Sequence, residues 1–254
     1  MKQENEKILL SWQGSLRSLA YPEKINDLQR FFKTGPGEYA EGDIFIGLYV
    51  PDNRSVARQF INAPFEVIDA MLESHIHEFR LSGLLALVEA YKKCKEENRR
   101  AEIVNFYLSH ARRCNNWDLV DLSAPYILGP ELAQGRELKE QKLLASSDCL
   151  WERRIALVAT LHLVMKHSST TLAIKQCHLH HTDSEQLMQK ATGWVLREVG
   201  KKDMGLLRDF LQKHISALSA ITLSYATEKM EQDERSHWRN LRKLQTKKIL
   251  TLLT

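Results

Sequence analysis

Near the middle of the chain lies the stretch NNWDLVDLSA, residues 115–124, in which an indole and two carboxylates interrupt an apolar run. If the stretch is helical, Trp117 and Asp121 are four residues apart and share one face of the helix. Leu119 and Val120 then occupy the flanking and opposite faces, where they can be buried. The stretch therefore predicts a helix with an apolar back and a front on which an aromatic surface lies beside a hydrogen-bond acceptor.

Similar anchors recur along the chain at a regular spacing. Arg154 lies twice 37 residues after Arg80, Lys190 lies 36 residues after Arg154, and each of the three precedes a short apolar segment. Trp117 lies 37 residues before Arg154. This period is close to that of two-helix HEAT repeats, which stack into a curved solenoid. The spacing predicts an all-α fold, an α-solenoid of HEAT-like helical repeats with a concave basic face, as one domain over residues 1–254. The alternative is that these short anchors agree by chance.

The repeat register groups residues that are far apart in sequence. Trp117, Arg154 and Lys190 occupy one position of the repeat, and Asp121 and Trp194 occupy the position four residues later. In a solenoid, equivalent positions line the same face. We therefore expect these five residues to line one concave surface.

A glycine-rich loop is predicted at residues 34–52. Such a loop also suggests phosphate binding, which would require the order G-x-x-x-x-G-K-[ST] after a strand. Neither the order nor a convincing strand is present, so we interpret the segment as a connecting loop.

A basic amphipathic helix is predicted at residues 233–254. Its apolar positions alternate with the basic residues Arg235, Arg239, Arg242, Lys243, Lys247 and Lys248. Such a helix usually caps a solenoid with a solvated face, and contact with nucleic acid is the alternative.

The composition favours a helical intracellular protein. Six Pro and 11 Gly are few for 254 residues, and no stretch approaches the roughly 20 apolar residues of a membrane span. The four cysteines are far apart and lack metal-ligand spacing, which indicates reduced thiols. The net charge of +4 permits a polyanionic partner without requiring one. We therefore expect a cytoplasmic protein that does not enter the membrane.

One cluster contains residue types that bind metals. The segment CHLHHTD at residues 177–183 holds a cysteine and three histidines, and His75 and His77 form a smaller pair. Neighbouring positions of a helix point in different directions, and no second cluster is spaced to complete a tetrahedral site. We therefore predict no metal site and no cofactor.

Two predicted helices carry basic residues that could contact phosphate. Arg153 and Arg154 lie on one of them, and Arg197 and Lys201 follow Trp194 on the other. Guanidinium groups match phosphate oxygens in bidentate geometry. The alternative is that Arg153 and Arg154 merely pair with Glu152 or Glu198, as surface charges on helices often do.

Three segments carry a family resemblance. They are NWDLVDLSA at residues 116–124, LWERRIA at 150–156 and KATGWVLREVGK at 190–201. In this order and at these separations, they resemble the DNA alkylation repair proteins of the AlkD type, a HEAT-like family of DNA glycosylases. The resemblance covers about residues 31–228, which is most of the chain.

The resemblance implies a function and roles for individual residues. A monomer would excise cationic N3- or N7-alkylated purines from double-stranded DNA by stabilising the positive charge that develops on the deoxyribose. Asp121 would be the catalytic carboxylate, Trp117 and Trp194 the aromatic walls of the site, and Phe31 an aromatic residue near the lesion. The residues expected to bind DNA are then Arg154, which would lie beside the lesion, with Arg153, Lys190, Arg197, Lys201 and Phe31.

One segment departs from the family pattern. Relatives tend to carry Arg or Lys near residues 216–225, whereas this chain has none between Lys213 and Lys229. A phosphate contact is therefore expected to be missing, and the basic C-terminal helix is a hypothetical replacement. The alternative function is a non-catalytic HEAT-like scaffold that binds nucleic acid or protein along its concave face.

Overall fold

The computed structural model describes the backbone of residues 2–136 and 139–253 and the side chains of residues 2–136 and 142–246. Over these ranges the regular structure is helical, and the β-type pairing is limited to one isolated parallel bridge between Ile44 and Ile76. The predicted all-α fold is therefore confirmed. The concave basic face and the single-domain organisation stay predictions.

The α-helices are, in chain order, α1 (Lys2–Ser18), α2 (Ile25–Phe32), α3 (Val50–Ala57), α4 (Phe65–Leu72), α5 (His77–Lys93), α6 (Glu97–Ser109), α7 (Trp117–Asp121), α8 (Ala124–Ala133), α9 (Lys139–Ala145), α10 (Leu150–Ala159), α11 (Leu161–His167), α12 (Thr171–His180), α13 (Gln186–Lys202), α14 (Met204–His214), α15 (Ala220–Ala226) and α16 (Gln232–Leu253). Short 3-10 helices occur at Pro22–Lys24, Arg58–Phe60 and Ala111–Arg113.

The chain divides into two compact units, Met1–Ile127 and Leu128–Thr254. In the first unit, α5 is buried along almost its whole length. Trp12 of α1 is fully buried; its Nε1 donates to Ser82 Oγ of α5 at 2.8 Å, and its ring stacks on Phe60 with centroids 4.8 Å apart. A buried indole needs a partner for its N–H, so this hydrogen bond secures α1 against α5.

A buried carboxylate of α5 holds the loop between α2 and α3. Glu78 is 2% exposed and accepts hydrogen bonds from the backbone N–H groups of Ile46, Gly47 and Leu48 at 3.0–3.2 Å. Gly47 has φ +86°, and a Cβ there would lie 2.1 Å from the carbonyl oxygen of Tyr21. Only glycine combines this conformation with so close an approach, so the loop has one well-defined path past α5.

The loop is shorter than the predicted segment 34–52. Helix α3 begins at Val50, whereas the sequence placed the start of the helix near Asn53. Pro51 lies in the first turn of α3, where the N–H that proline lacks would have no partner within the helix. Pro51 is therefore part of a helix start rather than of the loop.

In the second unit, α13 packs against α10, α12, α14 and α15. A Cβ at Gly193 would lie 2.5 Å from Tyr225 Cβ and 2.6 Å from the carbonyl oxygen of Thr222. The absence of a side chain at Gly193 thus lets α15 cross α13 at short distance.

The predicted C-terminal helix is confirmed over its described residues as α16. Trp238 of α16 is 5% exposed, which places one face of the helix against the second unit. Thr254 and the side chains of Lys247 and Lys248 lie outside the described residues.

Two further sequence expectations concern the whole chain. Cys94, Cys114, Cys149 and Cys177 are all free thiols. Within the described part of the chain, none of the helices has the length and apolar character that a membrane span requires.

Candidate active site

Helix α7 carries Trp117 at its first position and Asp121 at its last. Asn116 precedes it in an extended conformation, and its Oδ1 accepts a hydrogen bond from the Trp117 N–H at 2.8 Å. Such a cap satisfies one of the N–H groups that a helix start leaves free. Leu119 and Val120 are fully buried, while Trp117 and Asp121 are half-buried. The predicted apolar back of this helix is therefore confirmed.

A chain of buried charged side chains lies behind α7, and we call it the buried network. His77 Nε2 lies 2.8 Å from Asp118 Oδ2, and His77 Nδ1 lies 3.3 Å from Asp43 Oδ2. Arg80 Nη2 donates to Asp43 Oδ1 at 2.7 Å. The four side chains are between 2% and 9% exposed. The buried network thus joins α7, the start of α5 and the loop before α3.

The charges of the buried network balance. Burial alone would lower the pKa of His77, but the charge and hydrogen bond of Asp118 and the hydrogen bond of Asp43 raise that pKa to about 9. Burial alone would raise the pKa of Asp43, but the hydrogen bond from His77 and the charge of Arg80 hold it below its ordinary value. At neutral pH two cations therefore face two carboxylates, and both ring nitrogens of His77 donate.

A cavity of about 290 Å³ opens beside α7 in the first unit. Trp117, Asp121 and Phe31 all line it, so three of the residues predicted for the site are brought together. Phe31 is 63% exposed. The remaining lining is mostly apolar and consists of Leu28, Phe32, Phe45, Leu48, Tyr49, Val50, Leu81 and Leu122, with His77, Glu78 and Asp118.

The indole of Trp117 is held from three directions. Phe32 stacks on it with centroids 5.2 Å apart and planes at 16°, and Phe31 meets it edge-on at 5.8 Å. Its Nε1 donates to Tyr39 Oη at 3.2 Å. Aromatic pairs in these geometries add to the packing energy, and the hydrogen bond fixes the rotation of the ring. The orientation of Trp117 is therefore set by the protein before any ligand arrives.

Asp121 has polar neighbours near the end of α7. Tyr107 is fully buried, and its Oη lies 3.0 Å from Ser123 Oγ. Burial raises the pKa of Tyr107 well above its ordinary value, and the negative charge of Asp121 adds to this increase. Tyr107 therefore stays a neutral phenol near the carboxylate of Asp121.

In the second unit, Arg153 is engaged with polar partners. Its Nε donates to Asp183 Oδ2 at 2.8 Å, and its Nη1 donates to the carbonyl oxygens of Ser147 and Asp148 at 2.9 Å. Pairing with a carboxylate was the alternative for this residue, and the partner is Asp183 rather than a neighbouring glutamate. The guanidinium is thus held by three groups of its own unit.

Arg197 and Lys201 share one carboxylate on α13. Lys201 Nζ lies 2.8 Å from Glu198 Oε1, and Arg197 Nε lies 3.3 Å from the same oxygen. Arg197 also pairs with Glu228. The charges of both predicted DNA contacts are therefore balanced locally by carboxylates.

The other predicted residues of the second unit differ in exposure. Arg154 is 4% exposed, and its Nη1 donates to the carbonyl oxygen of Leu187 at 2.5 Å. Lys190 is half-buried and forms no salt bridge with any residue that the structure describes. Trp194 is half-buried on α13 beside Gly193. These three are described within their own unit, and their place in the site stays a prediction.

The histidines near residue 180 point in different directions. His178 Nδ1 lies 2.9 Å from His214 Nε2, and the ring of His181 lies 4.3 Å from that of His214. His180 instead is 4% exposed, and burial lowers its pKa to about 4. Across the described residues, no group of three or more His, Cys, Asp or Glu side chains is arranged to hold a metal ion.

Sequence reasoning missed most of the buried network. Asp118 was visible as the second carboxylate of the central stretch, and His77 was weighed only as a metal ligand. The available signal for the buried network was the occurrence of His77 and Arg80 at the start of an otherwise apolar helix. Charged groups inside a core must be paired, so these two residues indicate that partners lie nearby. Their partners come from the loop and from α7, which no local pattern identifies.

Comparison with known proteins now places the chain in a family. A family model described as DNA alkylation repair enzyme matches residues 12–230. A solved structure of an Enterococcus faecalis protein, described as a predicted DNA alkylation repair enzyme, aligns with a TM-score of 0.63 and 19% identity over 84% of this chain and 97% of that chain. This likeness concerns the fold. No protein of curated function matches the sequence. Because the family match spans most of its length, this chain belongs to the DNA alkylation repair enzyme family.

Proposed function

We propose that this protein is a DNA glycosylase that excises cationic N3- or N7-alkylated purines from duplex DNA. The observation that carries the proposal is the pairing of Trp117 and Asp121 on α7 at the edge of one cavity, with the indole already oriented. A helix of a repair enzyme that only bound phosphate would gain nothing from a carboxylate at this place, because like charges repel.

The substrate chemistry needs little from the protein. An N3- or N7-alkylated purine carries a positive charge, so it departs as a neutral base when the C1′–N bond breaks and takes the bonding electrons with it. No general acid is required. The positive charge moves to the deoxyribose, and a water molecule then adds at C1′ and releases one proton. Catalysis therefore consists mainly of stabilising the charged sugar and placing the water.

Asp121 supplies the negative charge in this scheme. An ionised carboxylate beside the sugar stabilises the developing cation directly, and it also orients the attacking water and accepts its proton. Asp121 lines the cavity and is half-buried, so its charge is less screened than that of a surface carboxylate. Its place on α7 depends on Asp118, three residues earlier, which is tied to His77.

Trp117 supports the same transition state. An indole face attracts a nearby cation through its quadrupole and contributes roughly 0.5–2 kcal/mol. The stacking of Phe32 and the hydrogen bond to Tyr39 hold this face in one orientation. An aromatic wall that does not reorganise during the reaction gives the largest electrostatic benefit.

The cavity lining is compatible with chemistry at the sugar. Most glycosylases flip the target base into a pocket and bind its edge through hydrogen bonds. Here most lining side chains are apolar, and the Glu78 carboxylate is already used by three backbone N–H groups. Such a lining offers few partners to a base edge, which supports excision without base-specific hydrogen bonds.

A second candidate function is a scaffold that binds nucleic acid or protein without catalysis. The observation that favours it is the pairing of Arg153, Arg197 and Lys201 with carboxylates. A cation that is already paired with a carboxylate displaces fewer counterions from DNA, so these residues contribute less to DNA affinity than unpaired cations would. The scaffold has no use for Asp121, which separates the two candidates experimentally.

The decisive experiment measures base release from duplex DNA treated with a methylating agent. We expect the parent protein to release 7-methylguanine or 3-methyladenine, detected by liquid chromatography with mass spectrometry. Asp121→Asn should lower the single-turnover rate by about 10²–10³, because one electrostatic stabiliser is lost. Asp209→Asn, which changes an exposed carboxylate of α14, is the matched control and should leave the rate unchanged.

Two results would contradict the proposal. One is the absence of released base with the parent protein, and the other is an Asp121→Asn variant that releases base as fast as the parent. Equal affinity for undamaged duplexes and duplexes with an abasic site would then support the scaffold.

A further inference from the structure

Helix α16 lies beyond the residues that the family model matches. The family match ends at residue 230, and α16 begins at Gln232. Its basic residues Arg235, Arg239 and Lys243 recur every four residues, so they form one stripe along the helix. We call these three residues the basic stripe.

A different set of residues on α16 packs against the rest of the second unit. Glu234 accepts two hydrogen bonds from Arg208 of α14 at 2.7 and 2.9 Å, and Trp238 is 5% exposed. Arg242 Nε donates to the carbonyl oxygen of Leu218 at 2.6 Å. These anchors also recur every four residues, so one face of α16 is committed to the protein.

The basic stripe is therefore turned away from the packed face. Each residue of the stripe comes one position after one of the packed residues Glu234, Trp238 and Arg242, and one position corresponds to a rotation of about 100° around the helix. Arg239 and Lys243 are exposed and Arg235 is half-buried. Arg239 donates only to the Arg235 carbonyl and to Ser236 Oγ of its own helix. None of the three pairs with a carboxylate among the described residues, in contrast to Arg153, Arg197 and Lys201.

The acidic residues of α16 do not cancel this charge. Asp233 and Glu234 are confined to its first turn, where carboxylates complement the positive end of the helix dipole. Glu234 is paired with Arg208. The exposed face further along the helix is thus positively charged.

Helix α16 packs against the segment between Lys213 and Lys229. The segment between Lys213 and Lys229 contains no Arg or Lys. Arg242 contacts Leu218 within this segment, so the basic helix packs directly on the stretch that lacks basic residues. Helix α16 thus places cations beside a segment that has none of its own.

We propose that the basic stripe of α16 binds the phosphate backbone of duplex DNA beside segment 214–228, which has no Arg or Lys of its own. The proposal rests on the proposed function, because it takes duplex DNA as the substrate. Eight residues of helix separate Arg235 from Lys243, which is about 12 Å. Over this length one strand of B-DNA presents about three to four phosphates. Three free cations at this spacing match three phosphates.

An anionic membrane is the competing partner for a basic helix. Membrane-surface helices insert an apolar face between the lipids. Among the side chains of α16 that the structure describes, the indole of Trp238 is buried within the protein and Leu241 is half-buried, so the apolar side of this part of the helix is occupied. Within the same part, Leu244 is the one leucine that is exposed, at 61%. The geometry therefore favours DNA.

The test compares full-length variants in binding to an undamaged duplex at several salt concentrations. The stripe variant is Arg235→Gln/Arg239→Gln/Lys243→Gln, and the matched control is Lys7→Gln/Lys166→Gln/Lys175→Gln, which removes the same charge from exposed lysines on three other helices. Each phosphate contact contributes about 0.9 to the slope of log K against log salt. We expect the stripe variant to lower the slope by about 2–3 and to weaken binding at about 150 mM salt on the order of tenfold.

Three checks keep the result interpretable. Circular dichroism and thermal unfolding establish that the stripe variant keeps its helices. The variant Arg235→Lys/Arg239→Lys retains the charge, so it should keep the slope of the parent protein. Vesicles containing phosphatidylglycerol, mixed with the parent and the stripe variant, measure membrane binding separately.

The outcomes distinguish this inference from the proposed function. If the parent releases alkylated bases but the stripe variant keeps its salt slope, the inference is wrong and the glycosylase proposal stands. If the parent binds DNA through the stripe but releases no base, the glycosylase proposal fails and the inference stands. A parent without measurable DNA binding, or a stripe variant that loses only vesicle binding, overturns the inference.

Discussion

Two clusters of charged side chains in this protein differ in how far their cations are exposed to water. The buried network around His77 joins α5, α7 and the loop before α3, and its side chains are at most 9% exposed. On α13, Arg197 and Lys201 share Glu198; the side chain of Glu198 is 9% exposed, that of Arg197 18% and that of Lys201 44%. Water therefore screens the cations of the second cluster more than those of the first.

The difference in exposure between the two clusters corresponds to two roles of charged side chains in this fold. A buried ion pair tolerates little displacement, because a partner that moves away leaves an unpaired charge in the core. The buried network therefore fixes where α7 lies, and α7 carries Trp117 and Asp121. The cluster on α13 neutralises charge without fixing an element. Charged residues thus position the candidate site in the first unit, whereas in the second unit they neutralise one another on the side of a helix.

The largest expected effect comes from breaking the buried network. Asp118→Asn removes one of the two carboxylates that face His77, and we expect the free energy of unfolding to fall by about 3–5 kcal/mol. Urea denaturation measures the change, with Asp209→Asn as the exposed control. A loss below about 1 kcal/mol, the size of a surface pair, would abolish the distinction between the two clusters.

The pH dependence of stability tests the charge on His77. Its folded-state pKa of about 9 exceeds the ordinary value of about 6.5. Its contribution to stability is therefore complete below about pH 6.5 and is lost as the pH rises through about 9; it amounts to about 3 kcal/mol. Urea denaturation of the parent protein and of His77→Gln at both ends of this window gives the difference. If the gap between the two proteins does not narrow with rising pH, His77 is not protonated in the folded state.

A smaller effect is expected where the loop reaches the candidate site. Tyr39→Phe removes the acceptor of the Trp117 Nε1–H and keeps the ring, so one hydrogen bond worth about 0.5–1.5 kcal/mol is lost. We expect the rate of base release to fall by up to about tenfold. Tyr21→Phe, at a partly exposed tyrosine of the same unit, serves as the control. An unchanged rate would mean that the orientation of the indole does not matter for catalysis.

The smallest effect is expected on α13. Arg197→Gln removes a partner of Glu198 and Glu228, and we expect a loss of about 0.2–1 kcal/mol that shrinks further at high salt. Thermal unfolding at two salt concentrations measures it. A loss as large as that of Asp118→Asn would show that the α13 cluster is also a structural element.

Local patterns in the sequence predicted several elements correctly. The four-residue spacing of Trp117 and Asp121 and the apolar residues between them predicted the two faces of α7. The alternation of basic and apolar residues predicted α16. Helical periodicity is a property of neighbouring residues, so both could be predicted without a partner.

Contacts between distant parts of the chain could not be predicted in this way. His77 and Asp118 are 41 residues apart, and Arg153 and Asp183 are 30 apart. No local pattern in the sequence identifies the partner of any of these residues. Whether a charge is buried and which partner it meets depend on how helices pack, and packing is a property of the whole unit.

Residue types at short, regular spacings predicted the helical class, the two faces of α7 and the basic amphipathic helix α16, and three longer segments carried the family resemblance. Packing between distant residues brings Phe31, Trp117 and Asp121 to one cavity, buries His77 between two carboxylates and places α16 on the segment without basic residues. Burial sets the strength of a charge and long-range packing sets its partner, and neither is encoded in a local pattern.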